Sequence, residues 1–212
     1  MQMQRFKVQG LARFFVGVSA FFWAAGAQAF FDGDLSLGRR SGSWDQGQTS
    51  KSLGSSVTSL AAHMDPIPLI PVSFGLRFYS ETYGASLSDH GVKSLTSTAV
   101  VPEVTGWLPL GDLAPFVRIG YTAISTYSGT AQTTIAGVPT TGNVAWKSTG
   151  SRLSAGLSYS VLPLVSILAA LERSMETLSM TEGKIGSVDI KASSPNIKFN
   201  SSALLLGVKA GI

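Results

Sequence analysis

The sequence predicts an all-β chain closed as an antiparallel up-and-down transmembrane β-barrel of eight strands. Three observations carry this prediction. A Pro-Leu pair recurs three times in a short apolar turn, as Ile67-Pro68-Leu69-Ile70-Pro71, Leu108-Pro109-Leu110-Gly111-Asp112 and Leu162-Pro163-Leu164-Val165. Behind each turn comes a run that alternates apolar with small or polar residues, the period of a strand with two unlike faces. Between successive turns lie long stretches rich in Gly, Ser and Thr. Short turns alternating with long connections describe four hairpins, with the turns on one side of a membrane and the loops on the other.

The first 29 residues read as an export signal. Arg5, Lys7 and Arg13 form a basic start without acids, and Phe14 to Ala25 is an apolar core. Ala27-Gln28-Ala29 places small residues where a signal peptidase reads, so cleavage is expected after Ala29. The apolar core is shorter than the roughly 20 residues of a spanning helix. Residues 30–212 are then one barrel domain. Three of the 16 basic residues and none of the 12 acids lie in the signal, so removing it lowers the net charge from +4 to +1. That leaves no case for nucleic-acid binding. With no cysteine there is no disulfide, thiol chemistry or lipoprotein acylation site.

The strands follow in order. Strand 1 begins near Phe31, with Leu35 and Leu37 opposite Asp34, Ser36, Gly38 and Arg40. Strands 2 (about 55–64) and 4 (about 94–104) alternate too weakly to fix which residues face which way. Strand 3 sets Val72, Phe74, Leu76 and Phe78 against Ser73, Gly75, Arg77, Tyr79 and Glu81. Strand 5 sets Val117, Ile119, Tyr121 and Ala123 against Arg118, Gly120 and Thr122. Strand 6 alternates without an error, Leu153 to Val161 against Arg152 to Ser160. Strand 7 sets Val165, Ile167, Ala169 and Leu171 against Ser166, Leu168, Ala170 and Glu172, and the last strand sets Leu204, Leu206, Val208, Ala210 and Ile212 against Leu205, Gly207, Lys209 and Gly211. Long connections are expected at 42–54, 84–94, 126–148 and 174–196, the last turning around Thr181-Glu182-Gly183-Lys184. A genuine membrane hairpin in either of the last two would raise the count to ten.

The two faces separate a membrane barrel from a soluble β-sandwich. Only 13% of the chain is charged, against about 25% in soluble domains. The second face is mostly Gly, Ser, Ala and Thr with a sparse charge, which suits the cramped lumen of an eight-stranded barrel. The first face, rich in Leu, Val, Ile and Phe, suits lipid, where every backbone group must be paired and the sheet must close. With an export signal in front, the setting is a bacterial outer membrane.

Charged lumen residues must be paired. Arg152 and Glu172 lie about equally far from the Pro163 turn on adjacent strands, so an ion pair between them is expected. Lys209 is expected to meet Asp34 across the closing seam, with Arg77, Glu81 and Arg118 in a wider network. Such a lumen is plugged by its own side chains. An interfacial aromatic girdle is expected from Phe31, Trp107 and Phe116 at the turn end and from Trp44, Tyr83, Tyr127 and Trp146 at the loop end.

On these residues the chain resembles the small eight-stranded outer-membrane barrels, of which the OmpA barrel domain, OmpX and OmpW are familiar types. The resemblance spans 30–212 and is architectural. It departs at the last strand, which ends in Ile212 where the family's assembly signal usually ends in an aromatic residue. The resemblance implies a structural or surface-interaction role through the extracellular loops, with outer-membrane lipid and lipopolysaccharide as partners. It also implies the barrel-assembly machinery and periplasmic chaperones during biogenesis, and leaves room for an extracellular ligand. A narrow channel for ions or small apolar solutes is the alternative it allows, and a lipid A-modifying enzyme a more distant one. Ser88-Asp89-His90 holds the residue types for the last, but adjacent residues rarely converge on one site. His63 near the first turn reads as an interfacial residue. No enzyme, cofactor or metal centre is expected, since two histidines without cysteine give no metal-ligand spacing.

Overall fold

The computed structural model of the chain describes residues 31–46, 49–65, 70–84, 92–135, 137–186, 188–189 and 196–211. Residues 1–29, the expected signal, lie outside them, as does Ser88-Asp89-His90. Among the described residues there are ten β-segments: β1 (Phe31–Gln46), β2 (Thr49–Met64), β3 (Val72–Tyr83), β4 (Val92–Trp107), β5 (Leu113–Thr122), β6 (Ile124–Ile135), β7 (Val138–Leu162), β8 (Val165–Ile185), β9 (Val188–Asp189) and β10 (Ile197–Gly211). They build eight barrel strands. β5 and β6 share one place in the wall, both lying between β4 and β7, and β9 is a two-residue return against β8. The remaining antiparallel pairings run once around, and β1 with β10 closes the ring. Among the described residues every strand of the ring has a partner on both sides.

The break between β5 and β6 has a local cause. β4 pairs Glu103 with Gly120 but Val100 with Ile124, so one strand carries an extra residue at Ala123, a β-bulge. Pro102, which has no N–H to give, falls in the gap between these two ladders. Arg118 and Thr122 are buried before the bulge, and Ser125 and Tyr127 after it. Inward and outward therefore exchange at Ala123.

At the turn end, Leu110 and Leu113 exchange backbone bonds of 2.8 and 3.4 Å around Gly111-Asp112. Gly111, at φ 68°, adopts the left-handed conformation that this two-residue turn needs. The loop end differs from the sequence expectation. Residues 126–135 and 138–148 are strand, β6 and β7 pairing from Thr126–Lys147 up to Ile135–Val138. The first connection is also short, since Gln46 pairs with Thr49. Gly183 lies within β8, and the chain turns at Gly186, φ 60°. Neither extension adds a stave; both lengthen the wall.

The outward face changes character at a common level around most of the wall. From the turns upward it is apolar: Leu35 and Leu37 on β1, Phe74 to Phe78 on β3, Leu153 to Val161 on β7, and Leu204 to Val208 on β10 are all exposed. Beyond that level it becomes Ser41 on β1, Thr58 and Ser56 on β2, Ser80 and Thr82 on β3, Thr98 and Thr96 on β4, Thr126 and Ser128 on β6, and Ser151 and Thr149 on β7. The apolar band is roughly 20 Å tall once strand tilt is included. A soluble monomer rarely exposes more than a few hundred Å² of contiguous apolar surface. A full ring of it is a surface for hydrocarbon.

Candidate functional site

Strand alternation drives the opposite parity inward, and there the sequence supplies charge. At the turn end, Asp32 pairs with Lys209 Nζ at 2.9 Å and lies 2.9 Å from His63 Nδ1. The other ring nitrogen of His63, Nε2, lies 2.7 Å from Glu103 Oε1. A neutral imidazole has one N–H, so a ring with a carboxylate at each nitrogen fits the doubly protonated form. Gly75 stands opposite His63 on β3, and a Cβ there would overlap the ring's Cδ2. The absent side chain is what seats the imidazole.

Arg77 lies just above. Its Nη1 and Nη2 donate to the two oxygens of Asp34 at 2.6 and 2.7 Å, and its Nε to Glu103 at 3.1 Å. This is the two-pronged geometry that a guanidinium offers a carboxylate. Arg118 Nε lies 3.2 Å from Glu103, and its guanidinium is 5.1 Å from the Phe116 ring centre. Its Nη2 approaches Asp34 at 3.5 Å without hydrogen-bond geometry, so that contact is Coulombic only.

A second layer lies toward the loops. Arg40 Nη2 meets Glu172 at 2.6 Å, and Arg152 Nη2 meets Glu176 at 2.7 Å. Arg152 Nη1 is 3.4 Å from both Glu81 and Glu172, and its guanidinium covers the Tyr79 ring at 4.0 Å. The Tyr79 hydroxyl donates to Glu172, Tyr83 to Glu81, and Tyr127, Ser148 and Ser174 to Glu176. Among the described residues, six carboxylates across both layers face five permanent cations and His63. With His63 protonated the interior sums to zero charge. Half of the chain's 12 acids are thus spent inside the wall, where burial would be prohibitive without partners.

Above the second layer the lumen is apolar. Leu53, Leu95, Leu178 and Phe199 are buried together with Tyr83, Tyr127 and Trp146, and Trp44 packs edge-on against Trp146 at 5.6 Å. At the opposite end a mouth of about 680 Å³ opens between Trp107, Asp65, Asp112 and Lys209. Asp65 lies outside the strands. Burial and the Asp32 charge raise its carboxyl above the ordinary value, and its Oδ1 has no hydrogen-bond partner.

Two expectations are corrected. Lys209 stands opposite Asp34 in the β1–β10 register but pairs with Asp32, because Arg77 already occupies both oxygens of Asp34. Its stem leans to the mouth over Trp107, with Nζ 3.9 Å from the ring centre. The aromatic girdle is the larger correction. Phe31 faces outward, but Phe116, Tyr83, Tyr127 and Trp146 are at most 5% exposed and fill the lumen. Trp44 and Trp107 are half-buried against lumen residues. The loop-end group lies above the apolar band, where no interface exists for it to mark.

The lumen also uses residues that the sequence pattern does not single out. Arg40 stood on the inward face of strand 1 without a partner. Glu103 sat in a strand of unfixed parity, and Glu176 inside an expected loop. His63 is 3% exposed, with both nitrogens engaged, rather than interfacial.

No protein-family model matches the chain, and no curated protein does. Solved structures do. Neisserial surface protein A, at 12% identity and TM-score 0.52, covers 85% of this chain and 97% of its own. Ail, the attachment invasion locus protein of Yersinia pestis, is 12% identical with TM-score 0.46 over 84% of this chain and 97% of its own. The outer membrane protease OmpT from Escherichia coli is 12% identical with TM-score 0.44 over 86% and 96%. At such identity the likeness to the first is one of fold. With a closed eight-strand ring, an apolar outer band and a charged lumen, the chain has the fold of the small eight-stranded outer-membrane β-barrels.

Proposed function

We infer that this chain is a bacterial outer-membrane barrel that acts as a surface-interaction protein, its wall serving as a sealed, rigid mount for the loop end. An export signal removed after Ala29 would deliver it, with periplasmic chaperones and the barrel-assembly machinery completing insertion. The observation that carries the reading is the filled lumen, two interlocked charge layers beneath an apolar plug. Neisserial surface protein A, which shares the fold, is a surface protein by name. The geometry of the wall supports the same role. β7 continues beyond the apolar band from Ser151 back to Val138, paired on both sides for much of its length. That raises a stiff hydroxyl-rich rim roughly 30 Å above the band. His63 offers no reactive group to a substrate, because both nitrogens are held and the ring is buried.

The test is electrical. Mature protein inserted in a planar bilayer is expected to give no steady conductance above the bare membrane. Steady single-channel current that changes when Arg152 or Glu172 is substituted would instead make the lumen a narrow ion path.

A further inference from the structure

We propose that the outer wall carries a binding site for the phosphorylated headgroup of a membrane lipid, formed by Arg39 and Arg173 on either side of β10. The proposal rests on the barrel being inserted in a membrane, and it adds a defined lipid contact to that reading. Arg39 pairs in register with Leu204, and Arg173 with Ser202 two residues further along the same strand. Both arginines face outward and are exposed. With one strand between them and a two-residue offset along it, their Cα atoms are about 12 Å apart, a span that two guanidiniums bridge onto a single phosphate.

Their height is what points to a lipid. Leu37 and Leu171 are the preceding outward residues on the same strands; Ser41 on β1 and Ser202 on β10 then begin the hydroxyl collar, while on β8 the exposed Met175 follows Arg173. The two cations therefore sit where acyl chains give way to headgroups. A groove of about 490 Å³ runs between them, its floor formed by Ala155, Leu171 and Leu204. Ala155 is small among larger neighbours and makes the depression, which accepts an acyl chain below the charged rim. Arg173 Nη1 donates to Ser202 Oγ at 3.3 Å, and neither arginine forms an ion pair among the described residues. Among the described residues no carboxylate faces outward on β1, β8 or β10 between the turns and this level, since Asp32, Asp34, Glu172 and Glu176 are all buried inside. Two permanent cations at a lipid-depth boundary, without a countercharge and above an apolar slot, complement a phosphorylated, acylated lipid of the outer leaflet.

The test uses mature full-length protein refolded into phosphatidylcholine vesicles doped with bisphosphorylated lipid A, then extracted in mild detergent and analysed by native mass spectrometry. Wild type is expected to retain lipid A. Arg39→Gln/Arg173→Gln is expected to retain it about tenfold less, the cost of one charge-assisted contact. Lys93→Gln/Lys147→Gln, which removes two other outward cations, is expected to match wild type, as is Arg39→Lys/Arg173→Lys to within a few-fold. Unchanged retention in the arginine-to-glutamine variant, or equal loss in both glutamine variants, would overturn the site. Displacement of the lipid by inorganic phosphate would overturn a lipid occupant in favour of a free anion. Insertion is scored separately by heat-dependent gel migration. A protein that never inserts contradicts the membrane reading, whereas one that inserts without retaining lipid A contradicts this site alone.

Discussion

Arg77→Met is expected to lower the unfolding free energy of the inserted barrel by about 3–5 kcal/mol, the cost of leaving buried carboxylates without their partner. Arg77 is fully buried and is the only residue that grips both oxygens of Asp34 among the described residues. It also holds Glu103, which His63 and Arg118 share. Methionine keeps most of the volume, so the loss reports charge rather than a cavity. Arg77→Lys should recover only part of the stability, because an ammonium cannot reproduce the two-pronged contact. Asp34→Asn added to Arg77→Met should recover more, since the stranded charge is then gone. Urea titration in lipid vesicles, followed by gel migration without boiling, measures all three. A single variant within about 1 kcal/mol of wild type, the scale of an exposed pair, would mean that water reaches this layer.

The second large effect is expected on the other face. Leu206→Arg should cost about 2–4 kcal/mol, the penalty for an arginine at the middle of a barrel's lipid-facing band. Leu206 lies between Leu37 and Ala169 on the flanking strands, both outward, with Leu204 and Val208 on either side of it along β10. Ser202→Arg, at the first outward position beyond the band, should cost at most about 1 kcal/mol, as at an interface. The difference between these substitutions on one strand is a depth reading. Equal costs would show that the face meets water along its whole length.

What could be read from the sequence, and what could not, comes down to parity. Perfect alternation from Arg152 to Val161 assigned two faces to one strand, and the Pro-Leu turns set the hairpin count. The same rule, applied further, would have moved most of the expected girdle. Trp44 shares parity with Arg40, Tyr83 with Glu81, Phe116 with Arg118, and Trp146 with Arg152. Each aromatic therefore belonged inside with its charged neighbour, and only Phe31 carried outward parity. Tyr127 was beyond that rule. The extra residue at Ala123 exchanges the faces, and nothing local in Thr122-Ala123-Ile124 announces a bulge. The long polar connections hid strand for a related reason. Above the apolar band the outward face is polar and the inward face of β6 holds small residues such as Gly129 and Ala131, so alternation fades while backbone pairing continues from Thr126 to Ile135. Pairing across the lumen was hardest to see. Arg40 finds Glu172 over a separation that only ring closure creates.

Depth along β10 reports whether the apolar side of this wall faces acyl chains and the charged side faces itself. The chain has no cysteine, so single nitroxide labels can be placed along β10 without background. Labels at Leu204, Leu206 and Val208 in vesicle-inserted protein are predicted to relax strongly with oxygen, which partitions into lipid, and weakly with a water-soluble nickel chelate. A label at Lys198 is predicted to show the reverse, and one at Leu205 to be shielded from both. Nickel access at Leu206 equal to that at Lys198 would contradict the account.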